Sequence, residues 1–169
     1  KELFPIIDRD GRAKPAILAI VEEALAAGIE EIAIVVQERD RAAFEDIFFL
    51  PPRPENFGKL SVEGQKYCDY LAEVGSHVTL LTQDVQEGFG HAVFCARDWV
   101  GREPFLLMLG DHLYRADGEV CCARQVMDAY EQLRRSVVGV KPTPAEEIHK
   151  FGCVAGSWEE PGSICLLYT

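Results

Sequence analysis

Ile32-Ala33-Ile34-Val35-Val36 is apolar at every position and rich in β-branched residues. An alternating run would leave one face for water, whereas a continuous one is the signature of a strand covered on both faces, as in parallel sheets. Ahead of it, Ile17, Leu18, Ile20, Val21, Ala24 and Leu25 recur at helical spacing, with Glu22 and Glu23 on the other face. Pro15 suits the first turn of that helix, and Gly28 falls where a C-terminal cap glycine belongs. Helix, short loop and buried strand make one half-turn of an α/β winding.

The pattern continues along the chain. Leu3 to Ile7 is a short apolar run, closed by the turn-forming Asp8-Arg9-Asp10-Gly11. Asp40 is placed to cap a helix carrying Phe44, Ile47 and Phe48, which Leu50-Pro51-Pro52-Arg53-Pro54 ends. Val62 to Val74 reads as a helix with Tyr67, Tyr70 and Leu71 inward, and Val78 to Leu81 as the next strand. Gly88 to Arg97 and Val120 to Leu133 are expected helices. Phe105 to Leu109 and Val137 to Val140 are expected strands, and Phe151 to Ala155 with Ile164 to Tyr168 an antiparallel edge. The expected class is α/β, helices over a mainly parallel mixed sheet, in a single domain over residues 1–169.

Charge and cysteine usage narrow the function. A net charge of −11 argues against a general nucleic-acid binder, because phosphate backbones are repelled, but leaves room for a small anionic ligand held by local donors and metal. The six cysteines show no Cys-x-x-Cys pairing and no zinc spacing, so buried free thiols in a reducing compartment are expected. No run reaches the length of a membrane span and no signal peptide is visible, which makes a cytoplasmic protein the expectation. The acidic pairs Glu22-Glu23, Glu30-Glu31, Glu146-Glu147 and Glu159-Glu160 read as solvated faces.

The chemistry-bearing residues concentrate between Gln83 and Asp111. Asp111 follows an apolar run and a glycine, at what would be the C-terminal exit of a strand, where open α/β sheets bind ligands. It is either a turn residue bonding its own backbone or a carboxylate for a hard cation such as Mg²⁺, which needs only one or two protein carboxylates when phosphates supply other oxygens. Gly88-Phe89-Gly90 ahead of a helix either admits a ligand close to the backbone or makes a tight junction; it lacks the third glycine of a dinucleotide fingerprint. The Gln83 amide can pair with a base edge or stay solvated. Lys1 either meets phosphates or is a solvated end. His91 is expected to satisfy a nearby backbone group, with His77, His112 and His149 forming no constellation with it.

Taken in order, these pieces resemble the sugar-1-phosphate nucleotidylyltransferases, most closely their bacterial-type glucose-1-phosphate uridylyltransferases. Lys1-Glu2-Leu3-Phe4-Pro5-Ile6-Ile7-Asp8, Lys14-Pro15-Ala16-Ile17 and Ala27-Gly28-Ile29 are similar to that family's opening. Gln83 with Gly88-Phe89-Gly90-His91-Ala92-Val93 matches its Gln…Gly-Leu-Gly-His-Ala-Val segment, and Leu109-Gly110-Asp111 its Leu-Gly-Asp. Lys150-Phe151-Gly152-Cys153-Val154 is similar to its Lys-Tyr-Gly-Val-Val.

The resemblance implies a Rossmann-like nucleotidyltransferase fold, three-layer αβα, joining UTP and glucose 1-phosphate into UDP-glucose and pyrophosphate with Mg²⁺. It places Lys1 near the phosphates, Gln83 on uracil, Gly88 against the base, Asp111 on the metal and Gly152 near the sugar. A relative using dTTP, ATP or GTP, and a non-catalytic binding domain, are the alternatives; a homo-oligomer is left open. Departures are His112 for a frequent aspartate, Phe151 for tyrosine, and a link from Asp8 to Lys14 longer than the usual Asp-Lys-Pro. The family's glycine-rich phosphate loop would precede Lys1, and its Glu-Lys-Pro sugar motif and second metal carboxylate would follow Thr169. The expectation is therefore the central part of an enzyme, truncated at both ends, with little turnover by itself.

Overall fold

The computed structural model describes residues 1–8, 11–50, 52–160 and 163–168. The chain divides into two compact units, Lys1–Arg135 and Ser136–Thr169. In chain order the first unit carries β1 (Pro5–Ile7), β2 (Ala13–Pro15), α1 (Ala16–Ala26), β3 (Ile32–Val36), α2 (Glu38–Phe48), α3 (Pro54–Phe57), α4 (Val62–Ser76), β4 (Val78–Thr82), α5 (Phe89–Cys95), α6 (Arg97–Val100) and α7 (Cys122–Leu133). The second carries a 3₁₀ turn (Ile148–Lys150), then β5 (Ala155–Glu160) and β6 (Ser163–Tyr168).

The apolar run of β3 pairs in parallel with β4, Ile32 opposite Val78 through Val36 opposite Thr82. Parallel strands cannot be joined by a tight turn, so α2, α3 and α4 carry the chain back between them. One buried cluster holds this unit together: Ile17, Leu18 and Val21 of α1, Val36 of β3, Phe44 and Phe48 of α2, Val74 of α4, and Val78 and Leu80 of β4. Fully burying side chains of this size stabilises by about 1.5–3 kcal/mol each before chain entropy is counted. The mixed α/β class with a parallel sheet is as expected.

Helix α1 closes as its sequence suggested. Gly28 has φ +93°, its N–H donates to the Leu25 carbonyl, and the Ile29 N–H donates to the Ala24 carbonyl. These are the two bonds of a Schellman cap, which asks for glycine at the left-handed position. The Leu3–Ile7 run becomes β1, paired antiparallel with β2, although Arg9 and Asp10 of the turn between them lie outside the described residues, as does Pro51.

Several expectations are corrected. Asp40 sits in the first turn of α2 rather than capping it; Gln37 is the flanking residue. Residues 88–97 are not one helix, because the chain breaks at Ala96 into α5 and α6. Phe105–Leu109 and Val137–Val140 form no strand, and Phe105, Leu107, Val138 and Val140 are exposed. A strand is defined by a neighbour's N–H and C=O groups, and among the described residues neither run has one. β5 begins only at Ala155, which already lies opposite Tyr168, so Phe151–Val154 have no partner there. The free cysteines 68, 95, 121 and 122 are half-buried and Cys153 is exposed, so they are not the core thiols expected; the Cys165 side chain lies outside the described set.

Where α4 passes the end of α2, a Cβ built on Gly75 would collide with the Phe48 carbonyl oxygen and lie 3.0 Å from its carbon. Backbone cannot swing aside as a side chain can. Gly75→Ala is therefore expected to destabilise by about 1–3 kcal/mol through overpacking, against the roughly 1 kcal/mol that alanine gains over glycine in a helix. Urea unfolding measures it, and a variant as stable as the parent would show that the helices can separate freely.

Candidate functional site

The parallel ladder runs one residue past β4, since the Gln83 N–H donates to the Val36 carbonyl at 2.8 Å. Arg41 of α2 ties down the same strand end, its Nη1 donating to the Leu80 carbonyl at 3.4 Å and the Thr82 hydroxyl at 3.1 Å. Gln83 thus leaves the sheet from a fixed point at the C-terminal edge. Its side-chain Nε2 donates to the Gly88 carbonyl at 3.2 Å and lies 3.0 Å from His91 Nδ1. Gly88 has φ +95° and ψ −176°, a region essentially closed to residues with a side chain. That backbone turns the chain into α5 while leaving open space where a Cβ would stand.

Among the described residues, the His91 ring therefore meets side chains, Gln83 and Cys95, rather than a backbone group. His77 meets a backbone group instead, its Nδ1 lying 2.7 Å from the Glu30 carbonyl oxygen. Periodicity could not have found the Gln83–His91 contact, because the partners are joined through a loop and a glycine turn, not along one helix face.

A second grouping joins residues 110 positions apart in the chain: Lys1 Nζ lies 3.6 Å from Asp111 Oδ2. The N-terminal residues are pinned to the start of α1, where the Ile17 N–H donates to the Glu2 carbonyl at 2.8 Å and the Ala16 N–H to the Phe4 carbonyl at 3.0 Å. Gly110 lets the other segment come alongside, since a Cβ there would stand 3.0 Å from Glu2 Cγ and 3.8 Å from Ile17 Cδ1. Both charges are accessible, with Lys1 84% and Asp111 37% exposed. Among the described residues no three His, Cys, Asp or Glu side chains gather as a ready metal cage. Gly152 lies in the second unit, exposed and with open space beside it.

A third cluster went unread in the sequence. Lys14 is only 6% exposed, and its Nζ meets Asp8 Oδ2 and Glu22 Oε2 at 2.5 Å each. The Tyr70 hydroxyl donates to Glu22 Oε1 at 2.8 Å. The pair Glu22-Glu23 is thus no solvated face: Glu22 holds this cluster, and Glu23 Oε1 accepts the Ala123 N–H at 2.9 Å in the first turn of α7. An open hollow beside Arg12, Lys14 and Tyr70 is lined by none of Gln83, Gly88 or Asp111.

A parallel strand pair flanked by helices carries an amide and a glycine turn at its C-terminal edge, and a lysine and a carboxylate meet separately beside the start of α1, which is the layout of a mixed α/β domain. The chain belongs to the nucleotidyl transferase family, whose pattern matches residues 1–164. It is 39% identical over 158 residues to the UTP–glucose-1-phosphate uridylyltransferase of Bacillus subtilis, covering 91% of this chain and 50% of that protein. It is 37% identical over 164 residues to the enzyme of the same name in Staphylococcus epidermidis, covering 95% and 53%. Among solved structures it is similar to a UDP-glucose pyrophosphorylase complexed with UDP-glucose, with TM-score 0.76, 28% identity, and coverage of 95% of this chain and 56% of that one. The UTP-bound enzyme from Acinetobacter baumannii gives TM-score 0.73 at 30% identity, covering 98% and 57%. The chain spans about half the length of the curated relatives it matches. Nucleotidyl transferases generally use a divalent metal. Among the described residues no helix is long and apolar enough to cross a membrane.

The Lys14 cluster predicts an alkaline weakness. Burial pulls the Lys14 pKa down, but hydrogen bonds from the ammonium to Asp8 and Glu22 outweigh it and hold it above the ordinary lysine value. Burial and the hydrogen bond to Glu22 push the Tyr70 phenol up to about 12. Both folded-state values are raised, so both groups contribute fully below their ordinary values near pH ~10 and lose that contribution as pH rises through the folded ones. Urea midpoints should hold to about pH 10 and fall beyond it, with a shallower fall in Tyr70→Phe. A midpoint unchanged well above pH ~11 would contradict the cluster.

Proposed function

We propose that the protein carrying this chain transfers the uridylyl group of UTP to glucose 1-phosphate, giving UDP-glucose and pyrophosphate. The observation that carries the reading is the approach of Lys1 to Asp111. The motif resemblance implies phosphate at Lys1 and metal at Asp111, and Lys1 Nζ lies 3.6 Å from Asp111 Oδ2 although the two are far apart in the chain.

The residue chemistry supports it. The sugar phosphate is already anionic, so its oxygen needs no strong general base to attack the α-phosphorus of UTP. As that P–O bond forms, the bond to the bridging oxygen breaks, and the electron pair leaves with pyrophosphate. Such transfers depend chiefly on positioning and on neutralising charge. The Lys1 ammonium supplies a positive charge to the phosphoryl oxygens. An exposed ion pair is worth only about 0–1 kcal/mol, so the Lys1–Asp111 contact yields readily to a substrate phosphate.

Asp111 is one accessible carboxylate without a surrounding cage, which fits Mg²⁺ completed by water and phosphate oxygens and does not fit a closed structural metal site. When bound, the ion would neutralise phosphate charge. Gln83 reads uracil, Gly88 gives the base room, and Gly152 approaches the sugar in this proposal.

Two substitutions in the full-length protein test it. Lys1→Ala is expected to lower kcat by roughly 10²-fold, or about 3 kcal/mol in the transition state, as for the loss of a charge-stabilising donor. A rate within a few-fold of the parent would remove the lysine from the phosphate site. Asp111→Asn should shift the Mg²⁺ titration to higher concentration, and an unmoved titration would leave the metal without this ligand.

A further inference from the structure

Gln83 can meet a base with either end of its amide, and the two ends select opposite partners. The carbonyl accepts from a ring N–H; the NH₂ donates to a bare ring nitrogen. The geometry around Gln83 decides between them. The Gly88 carbonyl can only accept, so the Gln83 atom 3.2 Å from it must be the NH₂ group. The same NH₂ lies 3.0 Å from His91 Nδ1, which must therefore be the unprotonated ring nitrogen. With Nδ1 accepting, the ring proton belongs on Nε2, which lies 4.0 Å from Cys95 Sγ, within reach of an N–H···S hydrogen bond, and 3.8 Å from Glu87 Oε2. Both NH₂ hydrogens are used, and the half-buried Gln83 has only its Oε1 left to offer.

We propose that His91 is a positioning residue for base selection: its unprotonated Nδ1 locks the Gln83 amide so that Oε1 alone faces the nucleobase. This rests on Gln83 being the base reader. An acceptor in that place chooses bases with a ring N–H between carbonyls or beside one. Uracil, thymine and guanine have that N–H, whereas cytosine and adenine present a bare nitrogen. Opposite the ring nitrogen the lock disfavours CTP and ATP, whose only donors to Oε1 on that edge are exocyclic amines one position away, and it leaves UTP against dTTP and GTP to other contacts. Gly88 contributes twice, since its carbonyl also accepts the Ala92 N–H at 3.2 Å and cannot turn away from Gln83 without unwinding the start of α5.

The test is the ratio of kcat/KM for UTP to that for CTP, measured in the full-length protein. His91→Phe keeps a ring of similar size without the acceptor, and should lower the ratio roughly tenfold, the scale of one oriented hydrogen bond. His91→Asn sets a carbonyl near the Nδ1 position and should restore most of it, which a purely space-filling role would not do. A parental ratio in His91→Phe, alongside a lost preference in Gln83→Ala, would overturn the lock while leaving the base reader standing. A parental ratio in Gln83→Ala would remove the base reader and this inference with it. Independently of the variants, the ¹⁵N spectrum of His91 in the parent should show the proton on Nε2, and a proton on Nδ1 would refute the lock outright.

Discussion

The parallel pairing of β3 with β4 is the constraint on which the rest of the first unit depends. Because the strands run the same way, both C-terminal ends open at one edge, and the helices between them must lie on the faces. The cluster of Ile17, Leu18, Val21, Phe44, Phe48 and Val74 against Val36, Val78 and Leu80 is the burial that makes this pairing stable. Gln83 follows directly: its N–H takes the next ladder position, and its side chain is delivered just beyond the sheet. A side chain set on a rigid strand end holds its geometry better than one on a free loop.

Electrostatics are resolved locally and not by the total. The chain carries −11 overall, yet its proposed substrates are strongly anionic. Only local cations and bound metal can reverse that repulsion. Lys14 would look like a candidate by charge alone, but it is buried between Asp8 and Glu22, and its charge is spent inside the fold, joining the β1–β2 hairpin to α1. Lys1 is the opposite case: its side chain is largely exposed, with Nζ 3.6 Å from the accessible Asp111 carboxylate, so its charge remains available to a ligand.

What could be read beforehand divides along physical lines. Covered strands and amphipathic helices were legible because burial imposes a period: Ile32–Val36 and the apolar positions of α1 fell where expected. Phe105–Leu109 shows the limit, since an apolar run states a wish for burial but not whether a neighbouring strand exists to pair with it. The individual candidates Lys1, Gln83, Gly88 and Asp111 came from the order of short motifs, and their grouping into two pairs needed coordinates. Glu22 and Glu23 failed for a related reason: on a helical wheel both face water, and only tertiary structure brings Lys14, Tyr70 and the start of α7 against them.

A neutral amide is a sensible base reader beside a triphosphate. A charged side chain would alter the field that Lys1 and the metal set in the proposed site, and it would attract phosphate as readily as base. Neutrality has its own defect, because an amide turned by 180° exchanges donor and acceptor while filling the same space. The Gly88 carbonyl alone sets which end of the amide faces it, but leaves the second N–H free to compete for a base nitrogen. A second acceptor uses that hydrogen and removes the ambiguity. In the proposal His91 supplies it through Nδ1, with Nε2 turned toward Cys95 and Glu87. In the proposed site, selection would then depend less on Gln83 itself than on the pair of acceptors that leave it a single atom with which to read.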